Sequence, residues 1–186
     1  AEKDKLGGNV HGLVMAVKNA VRGKAWGPFD QDEGLTKCVT KAQSYNDISG
    51  YGNCEHIRTN RGSFDNYPAF KAAYDYNTTC PVPAATTGWY LPASGQWWDI
   101  LQNLGGCPAL AKPNEQTSSL EDNDLVWSDQ GNVPAALNAW MDKIATDSKD
   151  NFINGDWFWS SSECSGSNAR DWGVHSYGDV SCRWRY

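Results

Sequence analysis

No run of apolar residues in this 186-residue chain approaches the roughly 20 that a membrane-crossing helix needs, so such a helix is excluded. Basic residues are few: 16 Lys and Arg stand against 22 Asp and Glu, for a net charge of −6. Without a basic stripe to release counterions, nucleic acid is excluded as a partner. Histidine is scarcer still, and His11, His56 and His175 are far apart. There is no CxxC and no Cys/His cluster of zinc-ligand spacing, which leaves no metal site. No nucleophile–base motif appears either, and catalysis is not expected. A local scarcity is sharper than these. From Cys164 to Tyr186 there is no Lys, Glu, Gln or Met, although the first three are used freely before it and Met15 and Met141 occur earlier.

What that tail does contain is Tyr, Trp, Ser, Gly, Asn, Asp and Arg, the residues of evolved recognition surfaces. The whole chain is aromatic-rich, with 10 Trp, 8 Tyr and 5 Phe, and its length suits one domain, residues 1–186. Six cysteines, Cys38, Cys54, Cys80, Cys107, Cys164 and Cys182, are even in number and widely spaced. They read as disulfides formed in an oxidising compartment; six reduced, buried thiols are the alternative. Six cysteines allow 15 connectivities. Sequence neighbours suggest Cys38 with Cys54 and Cys80 with Cys107, leaving Cys164 with Cys182. The first residue is not Met and no charged leader with an apolar segment follows, as expected of an exported product whose signal has been removed. The expected location is therefore secreted or cell-surface.

The apolar run Gly12–Val17 predicts a buried strand. Leu35, Cys38, Val39 and Ala42 fall at helical spacing behind Asp30, Asp32 and Glu33 and predict a short helix. Residues 44–62, rich in Asn, Gly, Ser and Asp, read as a loop carrying Cys54 and His56. A helix over 68–76 starts at Pro68, and a Pro-rich connection follows Cys80. The clearest helix runs from Ser94, as N-cap, to a stop at Gly105, with Trp97, Ile100, Leu101 and Leu104 as its apolar stripe. A short strand at 125–127 precedes a helix over 134–145 carrying Leu137, Trp140, Met141 and Ile144. Beyond Asn151 the period shortens to that of strands at 157–159, 169–174 and 179–184, the last two joined by a turn at 175–178. Helices first and a closing sheet make the class α+β. Trp89, Trp97, Trp157, Phe158 and Trp159 are assigned to the core by their periodicity.

The segment Gly88-Trp-Tyr-Leu-Pro-Ala-Ser-Gly-Gln-Trp97, followed later by Phe158-Trp-Ser-Ser-Ser-Glu163 and Ser167-Asn-Ala169, resembles a bacterial family with a C-type lectin-like fold. In that family a G-W-x-L-P-S helix start precedes a [YF]-W-S-S-[ST]-E strand. His11 with Gly12–Lys18, and Tyr67–Asn77, are similar to members found on gut bacteria. The resemblance implies helices packed on small antiparallel sheets, with C-terminal strands forming a binding face. Some members are targets of diversity-generating retroelements, which randomise template adenines at the 3′ end of the gene. AAY codons then become NNY codons, a set without Lys, Glu, Gln, Met or Trp. The segment after Glu163 fits for four of these five. Cys164, Gly166, Asp171, His175, Ser176, Tyr177, Asp179, Ser181, Cys182 and Arg183 are reachable from AAY, whereas Trp172 and Trp184 are not and need other template codons or fixed positions. The end, Arg183-Trp-Arg-Tyr186, also departs from the family's V-R-x-V-like closing strand.

On such a fold, alternate residues of the last strands and their turn would face solvent. The resulting contact candidates are Arg170, Asp171, Trp172, His175, Ser176, Tyr177, Asp179, Arg183 and Trp184, with Cys164, Gly166 and Ser181 as further variable positions. Trp, Tyr and Arg would anchor a partner. The implied function is a receptor- or adhesin-like surface protein that binds a protein or glycan, with no cofactor. Calcium-dependent lectins of this fold use E-P-N or Q-P-D loops; here Lys112-Pro-Asn-Glu115 replaces an acidic ligand by lysine, so calcium is not expected. Formylglycine-generating enzymes share the fold and a G-W-R-L-P-T-E-x-E-W motif, but Tyr90, Ser94 and Gln96 depart from it, and Cys164 and Cys182 are far apart. A third reading is a structural or tip subunit of a surface fibre, whose tail makes assembly contacts.

Overall fold

Period-two patterning in the last third of the chain becomes three consecutive antiparallel strands in a computed structural model that describes residues 12–84, 86–110, 124–127, 131–176 and 178–186. With β1 (Asp124–Trp127), β2 (Asp156–Glu163), β3 (Asn168–Val174) and β4 (Gly178–Trp184) form one sheet in the order β1-β4-β3-β2. Five α-helices precede or interrupt it among the described residues: α1 (Lys41–Asn46), α2 (Gly50–Arg61), α3 (Pro68–Thr79), α4 (Ser94–Asn103) and α5 (Val133–Met141). The class is α+β, as patterning predicts.

The amphipathic stripe of α4 builds the main core. Trp97, Trp98 and Leu101 pack with Trp127 of β1, Trp172 and Val174 of β3, Val180 of β4, and Val133 and Leu137 of α5. The indoles of Trp98, Trp127 and Trp172 form a triangle with centroids 5.4, 5.6 and 6.1 Å apart, a geometry that adds to the area they bury. Trp26, Leu35, Cys54, Ile57, Phe64, Tyr67, Phe70 and Ala169 make a second core.

The two sequence motifs meet in a buried polar network. Ser94 N–H donates to Ser162 Oγ at 2.8 Å, Ser162 Oγ donates to Asp47 Oδ2 at 2.6 Å, and Trp172 Nε1 donates to Ser94 Oγ at 2.9 Å. Ser94 is thus the first residue of α4 rather than the N-cap; Ala93 caps, and its N–H is satisfied by Gln96 Oε1 at 2.9 Å. Glu163, fully buried, accepts the Glu33 N–H at 2.9 Å and also bonds Lys37 Nζ and Arg185 Nη2. It ties together the 33–37 segment, the end of β2 and the penultimate residue.

Three local expectations are corrected. Residues 12–17 form no strand: Val14 is 78% exposed, and the segment is held by the Asp150 N–H on Val17 O rather than by a ladder. Residues 35–40 are irregular, because Cys38 N–H bonds Glu163 O in place of a helical partner, and α1 starts only after Thr40, whose Oγ1 accepts the Gln43 N–H. Residues 50–61 are helix, not loop. Gly50 is there for close approach, since a Cβ would meet Tyr90 at 2.7 Å and Ala93 N at 2.8 Å, and Asn53, Cys54 and Ile57 are buried. Composition read as loop was a packing requirement.

Candidate recognition surface

In β3 and β4 successive side chains go to opposite faces. Trp172, Val174 and Val180 turn to α4. The pairs Asp171↔Ser181, Gly173↔Asp179 and Ala169↔Arg183, with Trp159↔Asp171 and Trp157↔Gly173 on β2, therefore place Trp157, Asp171, Asp179, Ser181 and Arg183 on the other face. Gly173 is its floor. A Cβ there would lie 2.8 Å from the His175 ring and would collide with the Asp179 carboxylate.

Over that floor the charges interlock. Arg183 Nε is 2.6 Å from Asp171 Oδ2, and its guanidinium lies 3.9 Å from the Trp157 ring centroid. Trp157 meets the His175 ring edge-on at 5.3 Å, and His175 Nε2 is 3.7 Å from Asp179 Oδ1. Both carboxylates are almost wholly buried, at 2% and 3% exposure. Burial pushes the Asp171 carboxyl up to about 7 against the opposing pull of Arg183, and burial likewise raises Asp179. Asp171 Oδ1 has no hydrogen-bond partner among the described residues. The nest is suited to hydrogen-bond donors, beneath a half-exposed arginine.

At the other end of β4 alternation has a second consequence. Arg185 is fully buried, 4.3 Å over the Trp26 ring and paired with Glu33 and Glu163. Its neighbours Trp184 and Tyr186 consequently point outward, 53% and 78% exposed. Phe29, 49% exposed, meets Trp184 at 5.2 Å and Tyr186 at 5.8 Å. Nearby, the β2–β3 connection is held by the Gln31 N–H on Gly166 O at 2.9 Å and presents the exposed Ser165.

The residues singled out from sequence are thus divided. Arg183, His175, Asp171, Asp179 and Ser181 come together in the polar nest, and Trp184 stands in the aromatic cluster. Ser176 is exposed and Gly166 half-buried at the connection. Trp172, however, is core at 0% exposure. Arg170, 1% exposed, donates from Nε to Cys38 O at 2.6 Å. Both are corrected to inward positions by strand parity. Asp171, Asp179 and Ser181 are also buried rather than solvent-facing, with Arg183 and Trp157 on that side, and Cys164 is buried beside Cys182 and Arg170. Tyr177, His11 and Lys112–Glu115 lie outside the described residues.

No two of the six cysteines stand at disulfide distance, so the suggested pairs are not formed in this structure. Cys38 and Cys54 are each buried, Cys54 in the second core, and Cys107 belongs to the main core. Burial pushes the thiols of Cys54 and Cys107 up to about 12, making them small apolar core residues. Cys164 and Cys182 are neighbours, and burial together with the Cys182 contact raises the Cys164 thiol well above its ordinary value.

Sequence reasoning missed Phe29 and Tyr186, and it assigned Trp157 and Trp159 to the core with Phe158. All three rings of β2 are half-buried: Phe158 packs on the main core and Trp159 against the second, whereas Trp157 belongs to neither, and Trp89, also assigned to the core, is half-buried and in neither. Strict alternation along β2 was the available signal, since neighbours in a strand cannot share a face. Nothing in the local sequence links Phe29 to the last strand.

No family model matches the chain, and no curated protein matches it. Among solved structures it is similar to a fimbrial protein from Bacteroides ovatus ATCC 8483, with 20% identity and a TM-score of 0.48 over 77% of this chain. The matched part is 24% of that protein, so the chain spans about a quarter of its length. No helix among the described residues is long and apolar enough to cross a membrane.

Proposed function

We propose that this chain is a C-type lectin-like binding domain of a bacterial surface, which recognises a protein ligand through its last strand and the β2–β3 connection and performs no catalysis. The observation that carries the reading is the cluster of Phe29, Trp184 and Tyr186, three rings gathered in solvent at the end of a strand whose core-facing residues are packed. Exposed aromatics beside Ser and Asn give rigid contact area at low conformational cost. Arg183, His175 and Ser176 extend the same strands with adaptable polar contacts.

The residue types of the tail support diversification as the source of specificity, and the parity of the strands makes that idea specific. Sequencing the 3′ end of this gene across a bacterial population, against a nearby template repeat, tests it. Substitutions should fall on positions such as Gly166, His175, Ser176 and Arg183 and spare Arg170 and Trp172. An invariant end would remove the diversified-receptor reading. Substitution at Trp172 as often as at Ser176 would contradict this division of the strands.

A further inference from the structure

A second concavity lies away from both groups of C-terminal residues, between α2, α3 and the strand-free segment 87–90, with a volume of about 570 Å³. That size falls within the roughly 300–1,000 Å³ of small-molecule sites. Its walls are aromatic, with Tyr51, Tyr74, Trp89 and Tyr90 prominent among them. Tyr51 and Tyr74 are 42% and 54% exposed, which is unusual for rings that line a cavity.

The walls are fixed in advance. Asn77 Oδ1 accepts the Trp89 N–H at 2.8 Å and Asn77 Nδ2 donates to Trp89 O at 3.2 Å, clamping the 87–90 segment to α3. Trp89 Nε1 donates to Cys80 O at 2.7 Å, and Gln96 Nε2 donates to the Tyr90 hydroxyl at 3.0 Å. A ligand therefore meets rings that need little ordering on binding.

The electrostatics restrict what that ligand is. The groove's charged lining is Arg58 and Glu55, and they neutralise one another through two bonds, Nε to Oε1 at 3.0 Å and Nη2 to Oε2 at 2.5 Å. Nothing selects an ion. Thr78 and Thr87 interrupt the rings with exposed hydroxyls at the rim, and Thr87 Oγ1, which donates to Gly88 O, keeps its acceptor capacity for a ligand hydroxyl. The groove is made by two helices and a coil, which leaves no strand edge for an extended peptide to join. Tyr51 packs edge-on against Tyr90 at 6.0 Å and Phe64 against Tyr74 at 5.6 Å, leaving no slot between these rings for proline. What remains is a neutral molecule with apolar faces and a rim of hydroxyls. We propose that this groove binds a short, neutral oligosaccharide, with Tyr51 and Tyr74 as stacking platforms and the Arg58–Glu55 fork and threonines meeting its hydroxyls. The site is separate from the C-terminal strands and does not depend on the function assigned to them.

The test is a titration of the isotope-labelled chain with neutral di- to tetrasaccharides of hexose and N-acetylhexosamine, followed by backbone amide and indole shifts. Saturable changes at the Trp89 indole and around Tyr51 and Tyr74 are expected. Tyr51→Ala and Tyr74→Ala should each weaken binding at least tenfold without moving the thermal midpoint. Thr87→Arg, which fills the groove from an exposed position, should abolish it, and Trp184→Ala should leave it unchanged. The proposal is overturned if no saccharide shifts groove resonances at millimolar concentration, if the shifts gather on β3 and β4 instead, or if a proline-rich peptide moves the groove resonances while every saccharide fails.

Discussion

Asp171 and Trp172 are adjacent in β3 and equally buried, at 2% and 0% exposure, yet they are buried in different ways. Trp172 is enclosed by α4 and the rings of Trp98 and Trp127. Asp171 is enclosed mainly by side chains of the same sheet, chiefly Arg183 lying over Trp157. Around these two residues one face of the sheet is closed by α4 and the other by the Arg183 and Trp157 side chains, while further along that second face Ala169 and Trp159 pack into the second core. Burial alone therefore does not distinguish a structural position from a recognition position; the cover does.

The comparison is broken most strongly at Trp172. Trp172→Ala removes a core indole and its bond to Ser94 and should cost about 3–5 kcal/mol, measured by urea unfolding; a cost below 1 kcal/mol would mean that the core face can be varied like the other. Glu163→Gln comes next. It leaves Lys37 and Arg185 facing a neutral amide and should cost about 3 kcal/mol by the same measurement.

Asp171→Asn tests the other face, and its sign is opposite. The folded state holds the Asp171 proton up to about pH 7, whereas the unfolded chain releases it near 3.8. Between these values the folded state binds more protons, so wild-type stability falls as pH rises through the window and the penalty is complete above it. The Asn variant should be more stable than wild type at pH 8, by an amount that shrinks to nothing towards pH 4. Thermal melts across that range check this, and parallel curves would exclude Asp171 as the titrating group. Smallest of all, Trp184→Ala should change stability by no more than about 0.5 kcal/mol, because its ring is half in solvent; a larger loss would move Phe29, Trp184 and Tyr186 from the recognition surface to the structural side of the comparison.

Much of the scaffold was legible because its signals are local. The stripe of α4, Pro68 at the start of α3 and the period-two strands beyond Asn151 depend on neighbours in sequence. Other features failed for long-range reasons. Gly50 and Gly52 suggested a loop because the surface that demands Gly50, around Tyr90 and Ala93, lies forty residues downstream in the chain. Residues 35–40 gave a helical pattern but are held by Glu163. In the site, the residue types were legible and their sides were not: the parity of β3 and β4 is set by which residues reach α4, so Arg170 and Trp172 were placed outward with Arg183 and Trp184. The partnership of Phe29 with Trp184 is purely tertiary.

Arg185 also governs how the molecule is assembled. Its carbonyl accepts the Trp26 N–H at 2.7 Å, its guanidinium bonds Gln31 O at 2.8 Å, and it pairs with Glu33 and Glu163. The segment 26–33 thus finds its partner more than 150 positions later. Closing so wide a loop carries an entropic cost that nothing repays until the contact forms, and chains rich in distant pairings fold slowly. The packing around Trp26 in the second core therefore waits on Arg185, which is synthesised long after α2 and α3.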